Sequence, residues 1–256
     1  MKNKHEIIFL DDISEIWNLA RFEIQRSPIV LGMGIERKTE FCLPLPSCLD
    51  LIVKEPLDEI KIPEPYNSHP GVMDFIRICL SKEKELVPNW NEYYAYLTID
   101  NRKVDLGKTH RNRGWHFDGM QGSRYPVKLK PCHQYICSNT LPTEFAIQSV
   151  KASHLNEESD NFFSETGKQI LDPNVWKSEP FQIVLMNAYH IHRGIVAQES
   201  INRMFMRLDF SLKKQNRLGN SLNPLIPNPF TYEVREMPEE LKVQEDDTGW
   251  NKGKKF

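Results

Sequence analysis

Short apolar and aromatic runs, separated by turn residues, fill the part of the sequence between residues 93 and 212. The runs are 93–99, 114–118, 133–138, 144–150, 181–192 and 203–212. Several alternate apolar and polar residues, which is typical of strands with one buried face, and Gly, Pro, Asn or Asp stand between them. So many short strands predict an antiparallel sandwich or barrel, because a parallel sheet needs a helix between successive strands.

The other segments predict helices and an irregular wrap around this core. Residues 13–25 and 71–81 carry apolar side chains at helical spacing, and Ser68 or His69 is expected near the start of the second helix. Seven prolines between residues 28 and 70 exclude a regular helix there. Short strands are expected at 28–32 and 50–53, and a short helix is expected within 151–175.

No linker divides the sequence, so residues 1–256 are expected to form a single domain. Its parts are a helical and irregular N-terminal region (1–92), a β core (93–212) and a C-terminal extension (213–256). The extension is polar and carries four prolines, so it is expected to lie over the surface. The fold class predicted is mainly β with flanking helices.

Composition excludes several classes of protein. Lys and Arg total 33 against 35 for Asp and Glu, so the net charge of −2 gives no general attraction to nucleic acid or to an anionic membrane. No apolar run approaches the ~18 residues of a membrane span, and the N-terminus lacks the apolar stretch of a secretory signal. The chain is therefore expected to be cytoplasmic, with no membrane partner. Five cysteines without a C-x-x-C pair predict reduced thiols rather than disulfides or a thiolate zinc site.

The sequence GWHFDG, at residues 114–119, places a histidine and a carboxylate two residues apart. In an extended segment His116 and Asp118 point to the same face. Their nitrogen and oxygen atoms suit ferrous iron, which needs a third ligand to complete a facial triad that leaves positions open. Taken alone the pair is weak, and a polar turn at the end of a strand is the preferred interpretation.

Two later runs carry further polar residues. The apolar run 181–192 ends in His190 and His192, which are expected to alternate onto one face of a strand. In the run 203–212, Arg203 and Arg207 share a face. A buried arginine requires a partner, and its planar fork matches a carboxylate. We therefore interpret an arginine on this strand as an anchor for a dicarboxylate co-substrate.

In this order the motifs resemble the Fe(II)/2-oxoglutarate-dependent dioxygenases, and the resemblance covers about 93–212. It implies a core of the double-stranded β-helix or jelly-roll type. It also implies that the metal ligands are His116, Asp118 and His192. His192 is preferred to His190 because Arg203 then follows eleven residues later, a spacing common in that family.

The resemblance also implies the cofactors and the reaction. The cofactors are Fe(II), 2-oxoglutarate as co-substrate, and O2. The substrate is oxidised, as by hydroxylation, with release of succinate and CO2. Arg203 is expected to bind the far carboxylate of 2-oxoglutarate, Arg207 is the second candidate, and Thr143 is expected to donate a hydroxyl to it.

Other functions and substrates stay open at this point. A non-catalytic double-stranded β-helix that binds a metal or ligand is the main alternative, and a zinc hydrolase ranks last because no H-E-x-x-H occurs. A small-molecule substrate is expected. Basic residues within 101–113, and at 124, 128 and 130, would suit an anionic one, although a solvated loop is the preferred interpretation. A nucleic acid or protein substrate is not excluded.

Neighbouring aromatic residues have simpler explanations. Alternation turns Trp115 and Phe117 away from the metal, so we expect them to belong to the core. His133 is expected to be a core histidine with satisfied hydrogen bonds.

Overall fold

The computed structural model describes residues 2–14, 16–32, 34–110, 113–119, 122, 132–215 and 219–227. The helices in these ranges are α1 (Lys4–Ser14), α2 (Lys38–Phe41), α3 (Pro70–Leu86) and α4 (Phe162–Gly167). The strands are β1 (Ile29–Val30), β2 (Cys48–Lys54), β3 (Tyr94–Val104), β4 (His133–Ser138), β5 (Glu144–Ala146), β6 (Val175–Lys177), β7 (Val184–Asn187), β8 (His192–Arg193) and β9 (Ile201–Ser211). Short 3-10 turns occupy Leu19–Glu23, Trp90–Glu92 and Asp172–Asn174.

The strands form two antiparallel sheets. The large sheet has the order β1-β7-β4-β9-β3-β2, and the small sheet has the order β6-β5-β8. Strand β9 lies in the middle of the large sheet, between β4 and β3. The protein is therefore mainly β with few helices, and its two sheets are consistent with the sandwich that the short runs predict.

Alternation along β9 divides the core into two layers. Met204, Met206, Leu208 and Phe210 pack in the main apolar cluster, which also contains the buried face of α3. Phe205 points to the other side and packs with Phe145 of the small sheet. The small sheet therefore covers the face of the large sheet opposite α3, and the polar residues on that face of β9 lie between the two sheets.

Helix α3 confirms the prediction for residues 71–81 and is longer at both ends. His69 caps it, because its Nδ1 accepts a hydrogen bond from the backbone N–H of Val72 at 3.2 Å. Pro70 occupies the first turn, where its missing N–H costs nothing.

The prediction of a helix over residues 13–25 is wrong. Helix α1 ends at Ser14, and a 3-10 turn covers Leu19–Glu23. The chain folds back because Arg21 and Arg26 both reach the buried carboxylate of Asp12, at 2.7 Å and 3.3 Å. Ile16, which was expected on the apolar face, is 87% exposed. Tertiary ion pairing thus overrides a local apolar pattern.

The apolar run 181–192 is two strands rather than one. Strand β7 ends at Asn187, and β8 begins at His192. Between them the chain turns at Asn187. The backbone N–H of Tyr189 donates to the side-chain oxygen of Asn187 at 3.0 Å, and the backbone N–H of His190 donates to its carbonyl oxygen at 3.1 Å. This turn ends β7 before both histidines, so the expectation of one continuous strand is wrong. His190 lies in the connection and His192 begins β8, yet their ring centroids lie 6.3 Å and 6.0 Å from that of Phe145, so both rings pack against the same side chain.

Other predicted elements are confirmed with changed lengths. Short strands lie at Ile29–Val30 and Cys48–Lys54, and α4 lies within 151–175 as expected. The run 144–150 is a strand only over Glu144–Ala146. The run 114–118 forms an isolated bridge at His116.

The structure also bears on the expectations for cysteines and for membrane-spanning helices. All five cysteines are free thiols. Among the described residues, no helix combines the length and apolar character that crossing a bilayer demands.

Candidate metal site

Two histidines from distant parts of the sequence meet across an antiparallel bridge. The backbone N–H of His116 donates to the carbonyl of His192 at 2.9 Å, and the N–H of His192 donates to the carbonyl of His116 at 2.7 Å. Their ring centroids are 4.3 Å apart. The bridge extends the small sheet beyond β8, so the H-x-D segment is held by regular strand pairing although it is not itself a strand.

Backbone carbonyls set the orientation of both imidazoles. Nδ1 of His116 lies 2.8 Å from the carbonyl oxygen of Gly114, and Nδ1 of His192 lies 2.8 Å from the carbonyl oxygen of His190. A carbonyl can only accept, so each Nδ1 carries the ring proton. Nε2 then carries the lone pair in both rings, which is the tautomer that a metal-binding histidine adopts when its other nitrogen donates to a carbonyl.

Asp118 is held by a hydrogen bond from one side. The side-chain amide of Gln134 donates to its Oδ2. Burial alone would raise the pKa of Asp118, but its electrostatic interactions with His192, Arg207 and His116, together with the hydrogen bond from Gln134, outweigh burial and lower it. Asp118 is therefore a carboxylate at neutral pH and can serve as an anionic ligand.

The chemistry of these three side chains fits a ferrous ion, since two imidazoles and one carboxylate are the donors of a facial triad. Across the part of the chain that the structure describes, no three His, Cys, Asp or Glu side chains converge closely enough to hold an ion as they are placed. Asp118 is turned towards Gln134. A complete metal site therefore requires rotation of at least one of the three side chains.

Arg207 lies between the two sheets in a cluster of acids. Its guanidinium pairs with Asp50 and lies 3.3 Å from the hydroxyl of Thr98. Burial would lower the pKa of Arg207, but the carboxylates of Asp50, Asp209 and Asp118 raise it. Burial, aided by Asp50 and Asp118 and opposed by Arg207, raises the pKa of Asp209 to about 8. Arg207 is thus already neutralised by acids of this protein.

Arg203 has a different environment. Its Nε donates to the carbonyls of Thr140 and Leu141 at 3.0 Å and 3.1 Å, and its Nη1 contacts Nδ1 of His110. Burial lowers the pKa of His110 to about 4, so this histidine is neutral at pH 7. Thr143 is partly exposed and lies in the same connection, directly before β5.

The structure therefore brings His116 and His192 together. Asp118 interacts electrostatically with both rings and with Arg207, and Arg203 lies beside the segment that contains Thr143. The two arginines share a face of β9 and are separated by four residues, about 13 Å along a strand. His190, the alternative metal ligand, is buried. Its Nδ1 lies 2.8 Å from the side-chain oxygen of Asn187, and it supports His192 through its carbonyl.

Sequence reasoning missed three polar residues of this region, namely Asp50, Gln134 and Asp209. Each is buried, and Gln134 lies directly opposite Asp209 in the register of β4 and β9. The sequence did contain a sign of them, because a polar residue inside an apolar strand is expected to be buried and to require a hydrogen-bond partner.

The neighbouring residues follow their expected positions in part. Phe117 is buried in an aromatic cluster with Trp17 and Phe22, as expected, and Trp115 packs against that cluster but is only partly buried. His133 is fully buried, with Nε2 2.8 Å from a carboxylate oxygen of Glu83, but its Nδ1 has no hydrogen-bond partner among the described residues, so the expectation of satisfied hydrogen bonds is confirmed for Nε2 alone.

An open cleft of about 270 Å³ lies at the segment that follows β8. Arg113, Arg193 and Glu144 line it, together with residues 194–196 and Gln198. Arg193 pairs with Glu144 at 2.7 Å and lies over the ring of Trp115 at 4.2 Å. Part of the basic segment 101–113 thus borders this cleft, while the basic residues at 124, 128 and 130 lie outside the described residues.

A scan against protein-family models and a search of curated proteins give no match. Among solved structures, AviO1 from Streptomyces viridochromogenes Tue57 is 13% identical, with a TM-score of 0.40 over 86% of this chain and 98% of that chain. EvdO2 from Micromonospora carbonacea var. aurantiaca, complexed with 2-oxoglutarate, is 12% identical, with a TM-score of 0.35 over 75% and 78%. ThoJ, a non-heme monooxygenase in its apo form, is 10% identical, with a TM-score of 0.35 over 70% of each chain. Likenesses this distant establish no family, so the function of this chain must rest on its own residues.

Proposed function

We propose that this protein is a non-haem Fe(II)- and 2-oxoglutarate-dependent dioxygenase that hydroxylates a small-molecule substrate and releases succinate and CO2. The observation that carries the proposal is the bridge between His116 and His192. It puts two imidazoles 4.3 Å apart with both Nδ1 protons directed to carbonyls. Asp118, whose pKa is lowered, interacts electrostatically with both rings.

In this proposal His116 and His192 hold the ion through Nε2, and Asp118 holds it through a carboxylate oxygen. Iron(II), bound with 2-oxoglutarate and O2, supplies the oxidation. The protein supplies fixed tautomers and an anionic ligand, and the two sheets exclude water from the space between them. The core is then a double-stranded β-helix. The position of the last strand β9 between β3 and β4 supports this, because jelly rolls bring late strands back beside early ones.

Arg203 is the better anchor for the far carboxylate of 2-oxoglutarate. Arg207 already pairs with Asp50 and interacts with the ionised Asp118, so a carboxylate of 2-oxoglutarate would be repelled there. Arg203 contacts carbonyls and the neutral His110, and Thr143 follows those carbonyls in the same segment.

A non-catalytic metal- or ligand-binding protein is the second candidate. The observation that favours it is that no three ligand side chains converge among the described residues. A protein of this kind would bind a metal through the histidine pair and would not turn over 2-oxoglutarate.

The cleft at Arg193 supports a small and polar substrate. Two arginines and one glutamate line it, so a substrate with an anionic group would find a partner there. A small metabolite fits better than a nucleic acid, because the net charge of −2 gives no general attraction to a polyanion.

Turnover separates the two candidates. The protein is incubated with Fe(II), ascorbate and carbon-labelled 2-oxoglutarate, and labelled succinate is measured with and without a panel of small anionic substrates. We expect succinate from the native protein and from the exposed control His154→Ala, and none above background from His116→Ala. Cobalt binding without succinate in every condition would replace the dioxygenase with the second candidate.

A further inference from the structure

The side-chain amide of Gln134 has a defined direction. One of its ends faces Oδ2 of Asp118, and an ionised carboxylate can only accept hydrogen bonds. The NH2 group must therefore face Asp118, and the carbonyl Oε1 must face the other way. Gln134 is 3% exposed, so water does not satisfy that oxygen.

Two buried acceptor oxygens then remain on neighbouring strands. Oε1 of Gln134 and Oδ1 of Asp209 both lack a hydrogen-bond partner in the described structure. The two residues are direct partners in the antiparallel register of β4 and β9, on the face between the sheets. Side chains in such positions have Cβ atoms about 5 Å apart and reach each other. Two acceptors cannot bond, but a protonated carboxyl can donate to an amide oxygen.

We infer that Gln134 and Asp209 form a positioning pair for the metal ligand Asp118. Asp209 holds a proton and donates it to Oε1 of Gln134, and the NH2 of Gln134 donates to Oδ2 of Asp118. This chain leaves Oδ1 of Asp118 as the coordinating oxygen. The inference rests on the proposed function, since Asp118 needs positioning only if it binds a metal.

The environment of Asp209 supports its protonation. Burial raises its pKa to about 8, with Asp50 and Asp118 acting in the same direction and Arg207 against it. Keeping the proton also relieves the charge of this region, where three carboxyl groups surround one guanidinium. The rival arrangement is an ionised Asp209 paired with Nε of Arg207, which also has no partner in the described structure.

Cobalt(II) affinity tests the pair without requiring turnover. The native protein, Gln134→Met, Asp209→Asn and Asp209→Leu are titrated with Co(II) by calorimetry, and the visible cobalt absorption is recorded. Methionine and leucine keep the volumes but remove the hydrogen bonds. Asparagine keeps a donor where the proposal places the proton. Ser138→Ala, on the same face of β4 and also buried, is the matched control.

We expect Gln134→Met and Asp209→Leu each to weaken Co(II) binding by about 10- to 100-fold, as loss of outer hydrogen bonds to metal ligands does. Asp209→Asn and Ser138→Ala should stay within about twofold of the native affinity. The double variant Gln134→Met/Asp209→Leu should be no weaker than either single variant, because both break one chain. Thermal melting confirms that each variant is folded.

Other outcomes overturn the inference. A tenfold loss in Asp209→Asn would mean that the ionised form of Asp209 is needed, as in the rival pairing with Arg207. Native affinity in Gln134→Met would remove Gln134 from the positioning role while leaving the metal site intact. Absence of Co(II) binding by the native protein, or unchanged binding in His116→Ala, would overturn the proposed function and this inference together.

Discussion

Single buried polar residues decide much of the behaviour of this protein. Glu83 on α3 is fully buried, and its two carboxylate oxygens are shared by Nε2 of His133 at 2.8 Å and the hydroxyl of Tyr135 at 2.9 Å. These contacts join α3 to β4, the strand that also carries Gln134. Buried polar groups of this kind are costly to leave unmatched.

Replacing Glu83 with leucine should lower the free energy of unfolding by about 3–5 kcal/mol, because His133 and Tyr135 lose their partner inside the core. Urea unfolding followed by circular dichroism measures the change. Glu85→Gln on the same helix is the control, since the side chain of Glu85 is 70% exposed. A loss below about 1 kcal/mol in Glu83→Leu would show that water reaches this site.

Substitution of Arg203 and substitution of Arg207, both on β9, should have different effects on the KM for 2-oxoglutarate. Arg203→Lys should raise the KM for 2-oxoglutarate by about 10- to 100-fold, the usual loss for a charge-assisted hydrogen bond. Its Co(II) affinity should stay native. Arg207→Lys should alter thermal stability instead, because Arg207 pairs with Asp50. Succinate assays over a range of co-substrate concentration measure the first effect, and the opposite pattern would reassign the anchor.

At the scale of elements, α2 and α3 approach each other through a glycine. A Cβ added at Gly71 would lie 2.5 Å from Cα of Phe41 and 2.8 Å from its backbone nitrogen. Gly71→Ala should therefore displace α2 and lower the free energy of unfolding by about 1–3 kcal/mol. Gly32→Ala is the control, since nothing lies within 4 Å of a Cβ there. Equal melting temperatures for the two variants would contradict this contact.

Alternation and turn residues made most strands predictable. The residues of β9 fall on the predicted faces, and β4 has the predicted bounds, because each strand is paired with a neighbour at both of its edges. Elements held by tertiary contacts were not predictable. The turn between β7 and β8 depends on Asn187, and the end of α1 depends on ion pairs of Asp12. No local pattern encodes such partners.

The candidate site divides in the same way. The sequence order of the motifs predicted the meeting of His116 and His192. Neither the Gln134 bond to Asp118 nor the acids around Arg207 could be predicted, since they come from the register between strands and from β2. A periodic pattern shows which face a residue occupies, whereas its partner depends on the pairing of whole strands.

For the whole molecule, burial of His110 links stability to pH. Its pKa is about 4 in the folded protein against the ordinary 6.5, because burial disfavours the charged ring. As pH falls from 6.5 towards 4, His110 therefore becomes protonated in the unfolded chain while it stays neutral in the folded protein. The stability that neutral His110 provides is fully present above pH 6.5 and declines below it.

The His110→Gln variant should remove this part of the pH dependence. Between pH 7 and pH 5 its loss of unfolding free energy should be smaller than the native loss by roughly 2 kcal/mol. Urea unfolding at several pH values measures the difference. His154→Gln, at an exposed position, should keep the native slope, and identical slopes in all three proteins would show that His110 binds its proton when folded.

The N-terminal segment depends on residues that are synthesised much later. Asp12 accepts a hydrogen bond from the side chain of Asn187, and the backbone N–H of Asn18 donates to the hydroxyl of Tyr189, whose ring stacks on Trp17 at 5.0 Å. These contacts span 175 and 171 positions of the sequence. On the ribosome, the N-terminal segment therefore cannot complete its packing until strand β7 has emerged, although Glu6 of α1 can pair with Lys82 of α3 earlier. Chaperone demand during synthesis should follow from this long separation.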